Sequence, residues 1–81
     1  MPIPNGVDRR KLEEVALAFL HLTSFRDRFG VRAWKGLDWE LLDLLYERGW
    51  IGDPKSKAKS VPLTEEGAEL ASVLFKKHFG A

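Results

Sequence analysis

Residues 37–67, LDWELLDLLYERGWIGDPKSKAKSVPLTEEG, decide the reading of this chain. They spell a capped helix, a short strand, a lysine-rich hairpin, a returning strand and the start of another helix. Asp38 is a good N-cap, because its carboxylate can accept the orphan backbone N–H groups of a first turn. Leu37 before the cap and Leu42 after it have the spacing of a hydrophobic staple. Leu41, Leu42 and Leu45 follow at helical spacing, and Gly49 stands where a left-handed residue ends a helix. Trp50 is then placed to fold back onto Leu45, the contact that accompanies such a stop. A helix over residues 39–48 is expected.

Beyond the stop, Trp50-Ile51 and Val61-Pro62-Leu63 read as two short strands, joined by Gly52-Asp53-Pro54 and the polar run 55–60. Asp-Pro favours a turn, and Pro62 cannot donate a ladder bond, so the returning strand should lie at an edge. Thr64 is the expected cap of a last helix over 65–79. Glu65 and Glu66 suit its positive end, and Lys76, Lys77 and His78 suit its negative end. Leu70, Ala71, Leu74, Phe75 and His78 or Phe79 fall along one side of it.

Upstream, Asp8 is the expected cap of a first helix, with Leu12, Val15, Ala16, Phe19 and Leu20 forming one apolar stripe. Leu17 and Leu22 lie off that stripe. They suit either a dimer surface or a helix covered by its own domain. Residues 25–36 set Arg26, Arg28, Arg32 and Lys35 against Asp27, with Phe25, Phe29, Val31 and Trp34 interleaved. Such a pattern fits a nucleic-acid surface or a connector that tucks its aromatics inward. Residues 31–34 can form a short strand beside the hairpin.

Helix, basic hairpin and helix in this order resemble the closing half of a winged helix-turn-helix domain, and the run from Gly49 to Gly67 resembles the wing of bacterial winged-helix regulators. A broader resemblance rests on Arg32-Ala33-Trp34-Lys35-Gly36, Asp38-Trp39, Asp53-Pro54-Lys55-Ser56-Lys57-Ala58-Lys59-Ser60-Val61, Leu63-Thr64-Glu65-Glu66-Gly67 and Lys77-His78-Phe79-Gly80. Together these resemble a family of short bacterial proteins that is known as a domain of unknown function. The resemblance implies a bacterial origin and a shared fold, and brings no catalytic residues. The expected class is therefore α+β and winged-helix-like, with three helices and a small two- or three-stranded antiparallel sheet, in one domain over residues 1–81 with a frayed leader at 1–7.

The chain has 81 residues, no cysteine, two histidines and a net charge of +1. At this length a domain buries only about 60–65% of the surface its unfolded chain exposes, so each aromatic counts. Without cysteine there is neither a disulfide framework nor a Cys-based zinc site. Met1-Pro2-Ile3-Pro4 lacks the basic start of a signal peptide, and the apolar run at 15–20 falls far short of the ~20 residues of a membrane span. A cytoplasmic location without membrane contact is expected. Glu13-Glu14 and Glu65-Glu66 are adjacent, so each pair diverges around its helix instead of converging on one reacting atom. No phosphate-binding glycine loop is present, and the glycines fall at turns and helix ends except Gly67. No catalytic residue, cofactor, metal or small molecule is expected.

The expected role is a non-enzymatic binding module for a protein partner or for a second copy, with Asp38, Glu40, Asp43 and Glu47 as the candidate protein-interaction face. That helix face opposes four carboxylates to Arg48 alone, which disfavours entry into a DNA groove. The alternative is weak, sequence-independent nucleic-acid binding through the lysine-rich wing. Lys55, Lys57 and Lys59 alternate, so an extended arm would place all three on one side. Because Val61 and Leu63 share that parity and must face the core, either the lysines extend past the core's edge or the arm is irregular. Arg26, Arg28, Arg32 and Lys35 complete the candidate nucleic-acid contacts.

Overall fold

The structure is a computed structural model that describes residues 4–80. Three helices and three strands follow in the order α1 (Arg9–Leu22), β1 (Ser24–Asp27), β2 (Gly30–Trp34), α2 (Trp39–Glu47), β3 (Ser60–Pro62) and α3 (Glu65–Phe79). The sheet is antiparallel throughout, in the order β1-β2-β3, with Ser24 opposite Ala33 and Ala33 opposite Val61. The class is α+β. Residues 1–3 of the expected leader lie outside the described residues, and residues 4–7 are exposed.

Local signals set the helix ends. Asp8 accepts from the Lys11 N–H at 3.2 Å, Asp38 from the Glu40 N–H at 3.1 Å, and Thr64 from the Gly67 N–H at 3.0 Å. At the far end of α2, Gly49 has φ +78°, a backbone that a side chain would strain. Its N–H donates to the Tyr46 carbonyl at 3.0 Å, and the Trp50 N–H donates to the Leu45 carbonyl at 3.2 Å. This is the paired bonding of a Schellman stop, with Arg48 as the cap. Trp50 is half-buried against the cluster that contains Leu45.

The core gathers one face of every layer: Leu17 and Leu20 from α1, Ala33 from β2, Leu42 and Leu45 from α2, Ile51, Val61 and Leu63 beside the sheet, and Ala71 and Leu74 from α3. Leu17, expected off the apolar stripe, is fully buried, while Phe19, expected on it, is exposed. The reason is that α1 is packed both by α3 and by the layer of α2 and β2. Its buried arc is therefore turned from the stripe that sequence periodicity suggests, and Leu17 belongs to the domain's own core.

A polar clasp reinforces each side of α1. The Arg48 Nε donates to the Glu13 Oε2 at 2.6 Å, where Glu13 is buried and Arg48 half-exposed. The carboxylate raises the Arg48 guanidinium above its ordinary pKa. Glu14, the next residue, meets Lys77 and His78 at 3.4 Å each. The hydrogen bond with His78, aided by the Lys77 charge, lowers the Glu14 carboxyl from its ordinary value. The adjacent glutamates thus join α1 to two different elements.

The expected wing differs from what is observed. Of the strand expected at residues 50–51, Ile51 makes a single bridge to Leu63, and residues 53–59 contain turns and bends without a strand. The hairpin of the sheet is instead β1–β2, ahead of α2, and β3 is an edge, as Pro62 requires. Gly67 now has a reason: a Cβ built on it would lie 1.9 Å from the Trp50 carbonyl oxygen. The first turn of α3 is pressed against the stop of α2. Thr64 completes this joint, its hydroxyl donating to the Gly49 carbonyl at 2.8 Å and its N–H to the Trp50 carbonyl at 3.0 Å.

Candidate interaction surfaces

The lysine segment is short, bent and held from beneath. Pro54 is fully buried, and the Asp53 Oδ1 accepts from the Lys55 N–H at 2.9 Å, which fixes the turn. Lys55, Lys57 and Lys59 are exposed, but with no strand pairing over 53–59 their alternation assigns them no common face. Of the two expected forms, an extended arm and an irregular one, the irregular one is observed.

Two of the cations expected to meet nucleic acid are bound inside the molecule. Arg32 donates from Nε to the Ser60 Oγ at 2.8 Å and from Nη2 to the Ser60 carbonyl at 2.9 Å. Lys35 donates from Nζ to the Ser56 carbonyl at 2.8 Å and stands 5.7 Å from the Trp39 ring centroid. Arg32 ties β2 to the first residue of β3, and Lys35, just after β2, ties the lysine loop back, so both charges serve the fold. Their partners lie 28 and 21 positions away, which is why local composition did not separate them from free cations.

Arg26 and Arg28 remain exposed, at the closed end of the β1–β2 hairpin. Asp27 pairs with Gly30, and the Asp27 Oδ1 accepts from the Phe29 N–H at 2.8 Å across the turn. The lysine loop joins the opposite end of β2, where the Lys35 N–H donates to the Lys59 carbonyl. At about 3.3 Å per residue, β2 separates the two basic groups by roughly 13 Å. This exceeds the screening length of about 8 Å at physiological salt. They do not form one basic patch.

The acidic face of α2 lines an open groove of about 580 Å³, where Glu40, Asp43 and Glu47 stand over Leu44 and face residues 4–7 and Arg9. Asp38 is not part of that lining; it caps the helix. Among the described residues, no three His, Cys, Asp or Glu side chains come together to hold a metal ion. Among the same residues no helix is long and apolar enough to cross a membrane.

A further surface is foreshadowed in the sequence by Leu22 alone. Phe19, Leu20, Leu22, Thr23, Trp34, Gly36 and Leu37 line an apolar groove of about 310 Å³ without one charged side chain. Leu22 is 64% exposed, Trp34 52% and Phe19 45%. The groove continues at both ends into aromatic neighbours: the Phe19 ring lies 5.3 Å from Phe79 and the Trp34 ring 5.1 Å from Phe25, centroid to centroid. Leu22 alone could have suggested it, as an apolar residue off the helical stripe.

Comparison with known families matches residues 8–81 to the Domain of unknown function (DUF6429). The chain belongs to this family. A relative, the uncharacterized protein y4hR of Sinorhizobium fredii (strain NBRC 101917 / NGR234), is 44% identical over 73 residues, covering 90% of this chain and 95% of that protein. No solved structure matches. Membership extends across all six elements, so the family shares the joint and the surfaces described above only as far as its sequences keep these residues.

Proposed function

We propose that this member of the family is a non-enzymatic, cytoplasmic protein-interaction module that pairs with a second copy through the strip Phe79–Phe19–Leu22–Trp34. The observation that carries this reading is the contiguous, uncharged groove between the end of α1 and β2. Contiguous exposed apolar surface marks an interaction site more often than scattered apolar residues do. A twofold contact places each patch against itself, so like charges would face one another. This strip has none to oppose. Its lining also lacks the cations that phosphates would need, which supports a protein occupant.

Sedimentation velocity on the parent and on Leu22→Asp tests the proposal. The parent should be dimeric at micromolar concentration, and the variant, with a carboxylate in the centre of the strip, should be monomeric with an unchanged far-ultraviolet spectrum. A parent that stays monomeric at millimolar concentration overturns pairing through this face. Lys55, Lys57 and Lys59, all exposed, support a second reading, loose backbone contact with duplex nucleic acid. Three such contacts give a slope of log affinity against log salt of roughly −2.7, which the triple alanine variant should flatten.

A further inference from the structure

The most exposed large apolar side chain described is Phe29, at 91%. It belongs to neither the core nor the apolar strip. It stands in the two-residue turn between Asp27 and Gly30, with Arg28 beside it and Arg26 on the adjoining strand. The turn is fixed from within, because the Asp27 carboxylate accepts the Phe29 N–H at 2.8 Å. The hairpin turn therefore projects one aromatic ring, nearly free of protein contact, with two exposed arginines within three positions of it in the chain.

We propose that this hairpin tip is a stacking platform for single-stranded nucleic acid, with a base on the Phe29 ring and neighbouring phosphates on Arg28 and Arg26. Every base has a π-face, so an isolated aromatic flanked by cations binds a single strand with little regard to sequence. A paired base in a duplex keeps its faces covered by its neighbours and cannot use the ring. Arg28 carries more of the phosphate contact than Arg26, because Arg26 shares a groove with Glu69. The carboxylates of α2 line a different groove, walled by residues that precede α1, whereas β1 follows it. A protein occupant is the weaker fit: the three residues before Phe29 are the exposed Arg26, Asp27 and Arg28, and among the described contacts no apolar side chain joins the ring to form a desolvated surface.

Fluorescence anisotropy with labelled oligothymidine, oligoadenosine and a duplex, at low and moderate salt, tests this. The parent should bind both single strands more tightly than the duplex, with a log–log salt slope of roughly −1.4 for two phosphate contacts. Phe29→Ala should weaken single-strand binding about tenfold and leave the salt slope unchanged. Arg26→Ala with Arg28→Ala should flatten the slope, whereas the triple lysine variant should leave single-strand affinity unchanged. Because Phe29 is outside the core, thermal melts of Phe29→Ala should match the parent, which keeps the result interpretable. Failure to bind either single strand at low salt overturns the proposal, as does loss of binding in the lysine variant with Phe29→Ala unaffected. If Phe29→Ala instead abolishes the dimer seen by sedimentation, the ring is a protein contact and the proposal fails. The pairing strip is tested separately, since Leu22→Asp should keep its single-strand affinity per chain.

Discussion

The two basic loops of this molecule, the hairpin tip at 27–30 and the lysine loop at 53–59, look alike in composition and differ in support. The lysine loop buries its own Pro54 and is tied by Lys35 at Ser56. It runs into a strand whose first residue is held by Arg32, and the chain enters it from Trp50, whose carbonyl meets Gly67. The tip has one turn bond, from Phe29 to Asp27, and projects its ring into solvent. The cations at the root of the lysine loop, Arg32 and Lys35, are donors to carbonyls, whereas Arg26 and Arg28 at the tip are exposed. Counting lysines and arginines along the sequence cannot separate these uses, because the separation is made by partners distant in the chain.

The largest test of this contrast is Gly67→Ala. In an open helix such a change would stabilise by roughly 0.5–1 kcal/mol. Here the added carbon meets backbone oxygen, so urea melts should show a loss of about 3 kcal/mol, the upper end of the usual cost of overpacking. A gain would mean that α3 does not press on the stop of α2. Next comes Trp50→Ala, on the other side of the same joint. Trp50 is half-buried, so the expected loss is about 2–3 kcal/mol, below the range of a fully buried aromatic.

Arg32→Met keeps the stem of the side chain and removes both donors to Ser60. A loss of about 1–2 kcal/mol is expected, with amide exchange accelerated over residues 55–60 but not over 24–29. Equal exchange in both loops would erase the difference in support drawn here. The smallest effects belong to Phe29→Ala and to the triple lysine variant, each within about 0.5 kcal/mol of the parent by thermal melting. A larger loss in Phe29→Ala would show that the tip is packed and would end its role as a free platform.

What the sequence disclosed follows the range of each interaction. Asp8, Asp38, Thr64 and Gly49 act within a turn of their own position, and the caps and stop they announce are those observed. The class, three helices and a small antiparallel sheet, followed from those boundaries. The hairpin did not, because Arg26, Asp27 and Arg28 interrupt the apolar alternation that signals a strand, and β1 buries little. The face of α1 is legible in part: Ala16 and Leu20 are inside as the stripe requires, but Leu17 is inside and Phe19 outside, since a helix packed from two directions has no single stripe. Of the candidate cations, Arg32 and Lys35 moved from surface to scaffold, and the apolar strip assembled from α1, β2 and the end of α3 has no counterpart in any one segment.

The root of the lysine loop has a consequence for how this chain can vary. Gly52 donates to the Pro62 carbonyl at 2.8 Å, Ile51 bridges Leu63, and Lys35 donates to the Lys59 carbonyl, so both ends of the excursion are fastened before its exposed middle begins. With the ends fixed, doubling the length of a flexible loop adds only about 0.6 kcal/mol of closure entropy. The bond between Lys57 and Ala58 is thus a natural insertion point, where a tag, an epitope or a few extra residues in a related protein can be accommodated while the sheet, the helix joint and the register of β3 stay as they are.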